Sequence, residues 1–224
     1  IADVAMTLEK GDIVLVDGNT RISTAIKYLT QSTWSHACLF VGEKGADSSH
    51  LNLLEANLKK GVHLTNLDHY ANSNLRICRP VNLSKEEAAQ LAEFASQRIG
   101  HQYDLKNVAD LIRYVIQKPA VPNRYRRSLL SLGSGEPTKA ICSTLIAESF
   151  QSIDYPILPR RKGEGGHSGE VPLLYRPHFT HFTPRDFDLS PFFRIVKPTI
   201  ENGFDHHDLA WEAGGEGAGP QDLT

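Results

Sequence analysis

Cys142 is the residue best placed by its surroundings to act as a nucleophile. Ile141, Leu145, Ile146 and Phe150 recur around it at helical spacing, which predicts a buried helix with the cysteine in its first turn. A helix N-terminus favours negative charge, so a thiol there ionises more readily and its own backbone N–H can donate to an oxyanion. The structural alternative is a small buried cysteine on a core helix.

His36 and Glu55 are the candidate base and the candidate residue that orients it. His36 precedes the apolar segment 37–41, and Glu55 lies in the next apolar segment, 51–56; both segments read as strands. An antiparallel hairpin brings position 55 opposite 36 or 37, where the carboxylate can accept a hydrogen bond from the imidazole. The pairing requires both side chains on one face of the sheet. A shift of the strand register by one residue would point the Glu55 side chain to the other face.

The remaining pattern predicts the scaffold around these residues. Further strands are expected at 13–16, 61–64, 75–80 and 192–196, and helices at 20–30, 85–99 and 104–117. Ser84 and Glu87 have the spacing of a capping box, and Gly100 is the expected stop of the helix that follows. The fold class predicted is α+β: an antiparallel sheet of five or six strands with the Cys142 helix packed against it.

The length of 224 residues suits one domain. We expect residues 1–198 to form that domain, with 105–139 as a lid or insertion. Residues 199–224 are acidic and glycine-rich, which predicts a flexible tail.

Composition excludes several classes of function. The formal net charge of −2 gives no general attraction to nucleic acid, although two basic clusters stand out, at 124–127 and 160–162. No apolar run is long enough for a transmembrane helix. Three cysteines do not make a disulfide scaffold. No targeting signal is visible, so a bacterial envelope and a cytoplasmic location both stay open.

Histidines elsewhere do not predict a metal or a cofactor. The pairs His178/His181 and His206/His207 lack partners at the spacing of a zinc site. His63 and His69 are expected at the surface. Cys38 lies two residues after His36 and is expected in the core.

The order of the motifs resembles a known family. Five blocks are similar to those of the NlpC-type cell-wall peptidases, but in rotated order: Gly11–Val14, His36–Gly42, Leu53–Ala56, Gly100–Asp104 and Ile141–Ser143. That rotation is the mark of the circularly permuted, YiiX/YebB-like papain-fold amidases, whose relatives include the lecithin–retinol acyltransferase group. The resemblance spans most of residues 10–198.

The resemblance implies a circularly permuted papain-like fold and a set of roles. Cys142 matches the nucleophile, His36 the base and Glu55 the orienting residue. Tyr103 matches a tyrosine near the thiol that helps to shape the oxyanion site, with an ordinary half-buried tyrosine as the alternative. No cofactor is implied.

The predicted function is a thiol-dependent hydrolase that cleaves an amide, in a peptidoglycan peptide or of a lysine-type amine, through an acyl-enzyme. Two alternatives stay open. One is a lipid acyl hydrolase or acyltransferase, with 123–139 and 171–175 as a lipid-facing surface. The other is a non-catalytic binding module that keeps the fold.

Overall fold

The computed structural model describes residues 1–43, 51–57, 60–102, 141–161 and 174–210. Several sequence-based expectations therefore lie outside the described residues. They are the helix 104–117, the lid 105–139, Tyr103, the basic cluster at 124–127 and the last part of the acidic tail.

A six-stranded sheet forms the centre of the fold, and every pair of neighbouring strands in it is antiparallel. The strands stand in the order β4-β3-β2-β1-β5-β8. Their bounds are Ile13–Asp17 (β1), His36–Glu43 (β2), Leu51–Asn57 (β3), Gly61–Asn66 (β4), Asn74–Pro80 (β5) and Phe193–Val196 (β8). Two short strands, Arg160–Arg161 (β6) and Leu174–Tyr175 (β7), pair separately.

The burial of strand β1 on both of its faces explains why its sequence is a continuous apolar run. Successive side chains point to opposite faces, and Ile13 and Leu15 enter the core on one side while Val14 and Val16 enter the core on the other. Both faces of the central sheet are thus covered. The sequence of β1 therefore does not alternate between apolar and polar residues, as a strand with one exposed face would.

The helices cover these two faces. Their bounds are Ala2–Thr7 (α1), Arg21–Thr30 (α2), Lys85–Ser96 (α3), Ile141–Ser152 (α4), Pro184–Leu189 (α5) and Pro198–Glu201 (α6). Helix α4 packs on the face of Ile13 and Leu15 through Leu145, Ile146 and Phe150. Residues of α1 pack on the opposite face. In the part of the chain that the structure describes, no helix is long and apolar enough to cross a membrane.

Helix α3 begins as predicted and ends earlier. Ser84 accepts from the Glu87 backbone N–H while the Glu87 side chain accepts from the Ser84 N–H, which completes the capping box. The prediction that the helix runs to Ile99 is wrong, because it ends at Ser96. The N–H groups of Arg98 and Ile99 bond to carbonyls three residues back, a tighter turn that replaces the α-helical pattern.

A buried ion pair fixes the start of β1 to β5. Arg79 donates to both oxygens of Asp12, at 2.8 and 2.7 Å, and also contacts Glu9. The Asp12 residue is 1% exposed and Arg79 is 7% exposed. Removing either partner would leave the other charge buried without compensation.

We therefore expect Arg79→Ala to lower the free energy of unfolding by about 3–5 kcal/mol. The matched control is Arg194→Ala on β8, because Arg194 lies opposite Arg79 in the sheet and its ion pair with Glu201 is exposed. That control should lose less than about 1 kcal/mol. Urea denaturation followed by circular dichroism measures both, and equal losses would contradict the assignment of the buried pair as a structural anchor.

Candidate active site

His36 and Glu55 meet on one face of the sheet at the start of strand β2. The His36 Nε2 atom lies 2.8 Å from Glu55 Oε2. Strands β2 and β3 pair with Leu39 opposite Leu54, and continuing that register places Glu55 opposite Cys38. The prediction that residue 36 or 37 lies opposite Glu55 is therefore off by one or two positions along β2. The face is nevertheless the required one, because residues 36 and 38 share a face.

Glu55 is surrounded by donors. Its Oε2 atom accepts from His36, from the Tyr70 hydroxyl in a short hydrogen bond, and from the Cys38 thiol at 3.6 Å. Its Oε1 atom accepts from Asn57 at 3.0 Å and lies 2.9 Å from His63 Nε2. The carboxylate is 3% exposed. Both oxygens are thus satisfied, which is the condition for keeping a charge in the interior.

These contacts decide the ionisation of Glu55. Burial alone would raise the pKa of the carboxyl, but the hydrogen bond and charge of His36, the Tyr70 hydroxyl and the charge of His63 lower it to about 2. Burial, reinforced by the charges of Cys38 and Glu55, raises the pKa of Tyr70, so its hydroxyl stays protonated and donates. Glu55 is therefore a fixed anion at neutral pH.

Cys142 approaches from the opposite side of the sheet, in the first turn of helix α4. Its residue is 4% exposed. Burial alone would raise the pKa of the thiol, but the charge and hydrogen bond of His36, with the Ala37 backbone N–H and the Ser143 side chain, hold that pKa below its ordinary value. The imidazole that contacts Glu55 through Nε2 therefore also interacts with the sulfur of Cys142.

His36 responds in the opposite direction. Burial alone would lower the pKa of the imidazole, but its electrostatic interactions and hydrogen bonds with Cys142 and Cys38 raise that pKa well above its ordinary value. The opposite shifts of Cys142 and His36 mean that each group stabilises the charged form of the other. A thiol with a lowered pKa beside an imidazole is the arrangement that nucleophilic catalysis requires.

The alkylation rate of Cys142 is expected to reach half its maximum at a lower pH than that of an unfolded cysteine, because the pKa of its thiol is lowered. Only the thiolate reacts, so the rate falls only when the pH drops through the lowered pKa. The matched control is the same thiol in the urea-unfolded chain, whose profile should be centred near pH ~8.5. Stopped iodoacetamide reactions read by intact mass measure both profiles, and coinciding profiles would rule out an activated thiol.

The contacts of His63 and Tyr70 with Glu55 were not predicted from the sequence. The prediction that His63 lies at the surface is wrong, because His63 pairs directly opposite Glu55 in the β3–β4 hairpin and contacts its carboxylate. Tyr70 comes from a 3-10 turn, Leu67–Tyr70, that follows β4. The hairpin register could have indicated His63, whereas no sequence signal marked Tyr70. Cys38 is fully buried, as expected.

Tyr103 lies outside the described residues, but the chain just before it is held beside β4. The Val62 N–H donates to the His101 carbonyl and the Gly100 N–H donates to the Val62 carbonyl, both at 2.9 Å. Gly61 permits this approach, since it has a φ of +68° and a Cβ there would lie 2.2 Å from the His101 oxygen. The block that resembles the family's tyrosine motif thus begins next to His63.

Comparison with known proteins agrees with the motif order. Residues 7–114 match the model of a family described as permuted papain-like amidase enzyme, YaeF/YiiX, C92 family. The matched range contains His36 and Glu55 and ends before Cys142. A search of curated proteins gives no significant match.

Among solved structures, the fold is similar to the metalloprotein yiiX from Escherichia coli O157:H7. The TM-score is 0.51 at 17% sequence identity, over 84% of this chain and 96% of that one. At that identity the likeness establishes the fold alone. The predicted resemblance to permuted papain-like amidases, and the predicted α+β permuted papain-like fold, are confirmed.

Proposed function

We propose that this chain, whose residues 7–114 match the permuted papain-like amidases, is a thiol-dependent hydrolase of amide bonds. Cys142 is the nucleophile, His36 the base and Glu55 the residue that orients the base. One observation carries the proposal: a half-buried imidazole contacts an ionised carboxylate through Nε2 and also interacts with the thiol of Cys142 in the first turn of a helix.

The chemistry follows from that arrangement. The proton of Cys142 resides on His36, and the thiolate attacks the amide carbonyl carbon. The oxyanion that forms accepts from the Cys142 backbone N–H, which is unpaired within the helix because it lies in the first turn. We assign Tyr103 to the same oxyanion site by its resemblance to the family's tyrosine.

Collapse of this intermediate breaks the C–N bond. His36 donates its proton to the leaving amine, which departs and leaves a thioester on Cys142. A water molecule then gives its proton to His36 and attacks the thioester, and the released sulfur recovers the thiolate–imidazolium pair. Glu55 keeps its charge throughout, stabilising the imidazolium and holding Nε2.

The substrate class proposed is an amide of a peptidoglycan peptide or of a lysine-type amine, as the resemblance implies. Incubation with muropeptides should release new primary amines, detected by derivatisation and mass spectrometry. The Cys142→Ala variant is the matched control and should release none. Absence of new amine with the wild-type protein, at any substrate length tested, would count against this substrate class.

A lipid acyl hydrolase or acyltransferase is the competing proposal. Of the surface suggested for it, 123–139 lies outside the described residues and only Leu174–Tyr175 of 171–175 is described, as strand β7. Turnover of a fatty acyl ester that depends on vesicles would favour it. Biological activity that survives Cys142→Ala would instead favour a binding module without catalysis.

The solved neighbour is called a metalloprotein, and the steps above involve no metal. Among the described residues two groups have donors that could hold a metal ion: Asp205, His206 and His207, which are exposed, and His36, Cys38 and Glu55. The ligand atoms of the second group all lie within 4.8 Å of one another. A cation held there would offset the charge of the Glu55 carboxylate and of the thiolate that Cys38 would supply.

A further inference from the structure

We propose that His36, Cys38 and Glu55 form a site for a zinc-like divalent cation. The site shares His36 and Glu55 with the proposed catalytic group and adds a second cysteine, Cys38. The metal site does not depend on the proposed function.

The spacing of the donor atoms fits a small tetrahedral ion. Bonds of about 2.0–2.3 Å to nitrogen, oxygen and sulfur put neighbouring ligand atoms roughly 3.2–3.8 Å apart. The Cys38 sulfur is 3.6 Å from Glu55 Oε2, and His36 Nε2 is 2.8 Å from the same oxygen. The Cys38–Glu55 separation falls in this range, and a metal ion requires His36 Nε2 and Glu55 Oε2 to move apart by about 0.4 Å.

The fourth position has a candidate donor. The Tyr70 hydroxyl contacts Glu55 Oε2 and lies 3.6 Å from the Cys38 sulfur. In the metal-free protein three donors, from His36, Cys38 and Tyr70, converge on one carboxylate oxygen. A metal ion placed among these groups would replace their hydrogen bonds with direct bonds from the metal to the same nitrogen, sulfur and oxygen atoms.

Charge balance favours the ion. A thiolate, a carboxylate and a neutral imidazole together carry two negative charges, so a divalent cation makes the buried cluster neutral. Binding releases the proton of the Cys38 thiol and the proton on Nε2 of His36. Because a thiolate and an imidazole are soft to intermediate ligands, the set selects Zn²⁺ or Co²⁺ over Mg²⁺ and Ca²⁺.

The test begins with Co²⁺ added to metal-free wild-type protein. One equivalent should bind and produce a thiolate-to-cobalt absorption band in the near ultraviolet, and Zn²⁺ should remove that band. Cys38→Ser should abolish the band. Cys142→Ser should keep it, as should Cys78→Ser, a matched change at another fully buried cysteine. Circular dichroism checks that each variant is folded.

X-ray absorption of the zinc-loaded wild-type protein gives a second measurement that needs no variant. One sulfur with nitrogen and oxygen ligands supports the site. Two sulfurs, a band lost in Cys142→Ser but kept in Cys38→Ser, or no binding of either metal would each overturn it.

Discussion

Replacing His36 with alanine is expected to slow the alkylation of Cys142 at neutral pH by roughly 100-fold, and amide hydrolysis by about 10⁴-fold or more. Without the imidazolium, burial is left as the main influence on the thiol pKa, and burial raises it. The thiolate fraction at neutral pH therefore falls to about one per cent or less. Hydrolysis loses more, because His36 also protonates the leaving amine.

The two effects are separable by experiment. Intact-mass kinetics with iodoacetamide report the thiolate alone, and amine release from muropeptides reports the complete cycle. His178→Ala is the matched histidine control, since His178 is exposed and contacts Phe179 and Thr180. Equal alkylation rates in wild type and His36→Ala would mean that Cys142 owes nothing to the imidazole, and the proposed function would be wrong.

Glu55→Gln is expected to lower kcat by roughly 10²–10⁴-fold with little change in KM. Every described partner of Glu55 is a donor, so the amide group of glutamine must turn its own N–H groups toward one of them. The imidazole loses the anion that stabilises its charged form and the contact that fixes its orientation. The pKa of His36 should then fall, and the thiolate should require a higher pH.

A pH profile distinguishes this role from simple damage to the fold. We expect the alkylation profile of Cys142 in Glu55→Gln to move to higher pH, while a destabilised but otherwise intact site would lose amplitude without moving. Glu148→Gln is the matched control, because Glu148 is ion-paired with Arg98 and sits on the same helix as Cys142. A profile for Glu55→Gln that superposes on wild type would refute the positioning role.

The scaffold could be predicted because its signals are local. Strand β1 is a run of apolar residues between turn signals and helix α3 begins with a capping box, and both the strand and the start of the helix are found where expected. The meeting of His36 and Glu55 could also be foreseen, because a hairpin brings successive strands together and a buried glutamate needs a partner. Only the register of β2 and β3 was predicted wrongly, since Glu55 lies opposite Cys38 and not opposite residue 36 or 37.

The donors around Glu55 were not predictable in the same way. His63 required the register of a second hairpin, and Tyr70 required the path of the chain after β4. Cys38 could be placed in the core from the apolar strand around it, but its contact with Glu55 needed two registers at once. A cluster assembled from several elements leaves no motif in any one of them.

The sequence positions of Cys142, His36 and Glu55 determine the stage of folding at which they come together. His36 and Glu55 are only 19 positions apart and belong to one hairpin, so their contact costs little loop-closure entropy. Cys142 joins them only after a distant helix has docked on the reverse side of the sheet. If Cys142 is the proposed nucleophile, a nascent or partly unfolded chain carries a thiol of ordinary reactivity, and oxidants or electrophiles meet an activated thiol only in molecules that have completed their tertiary structure.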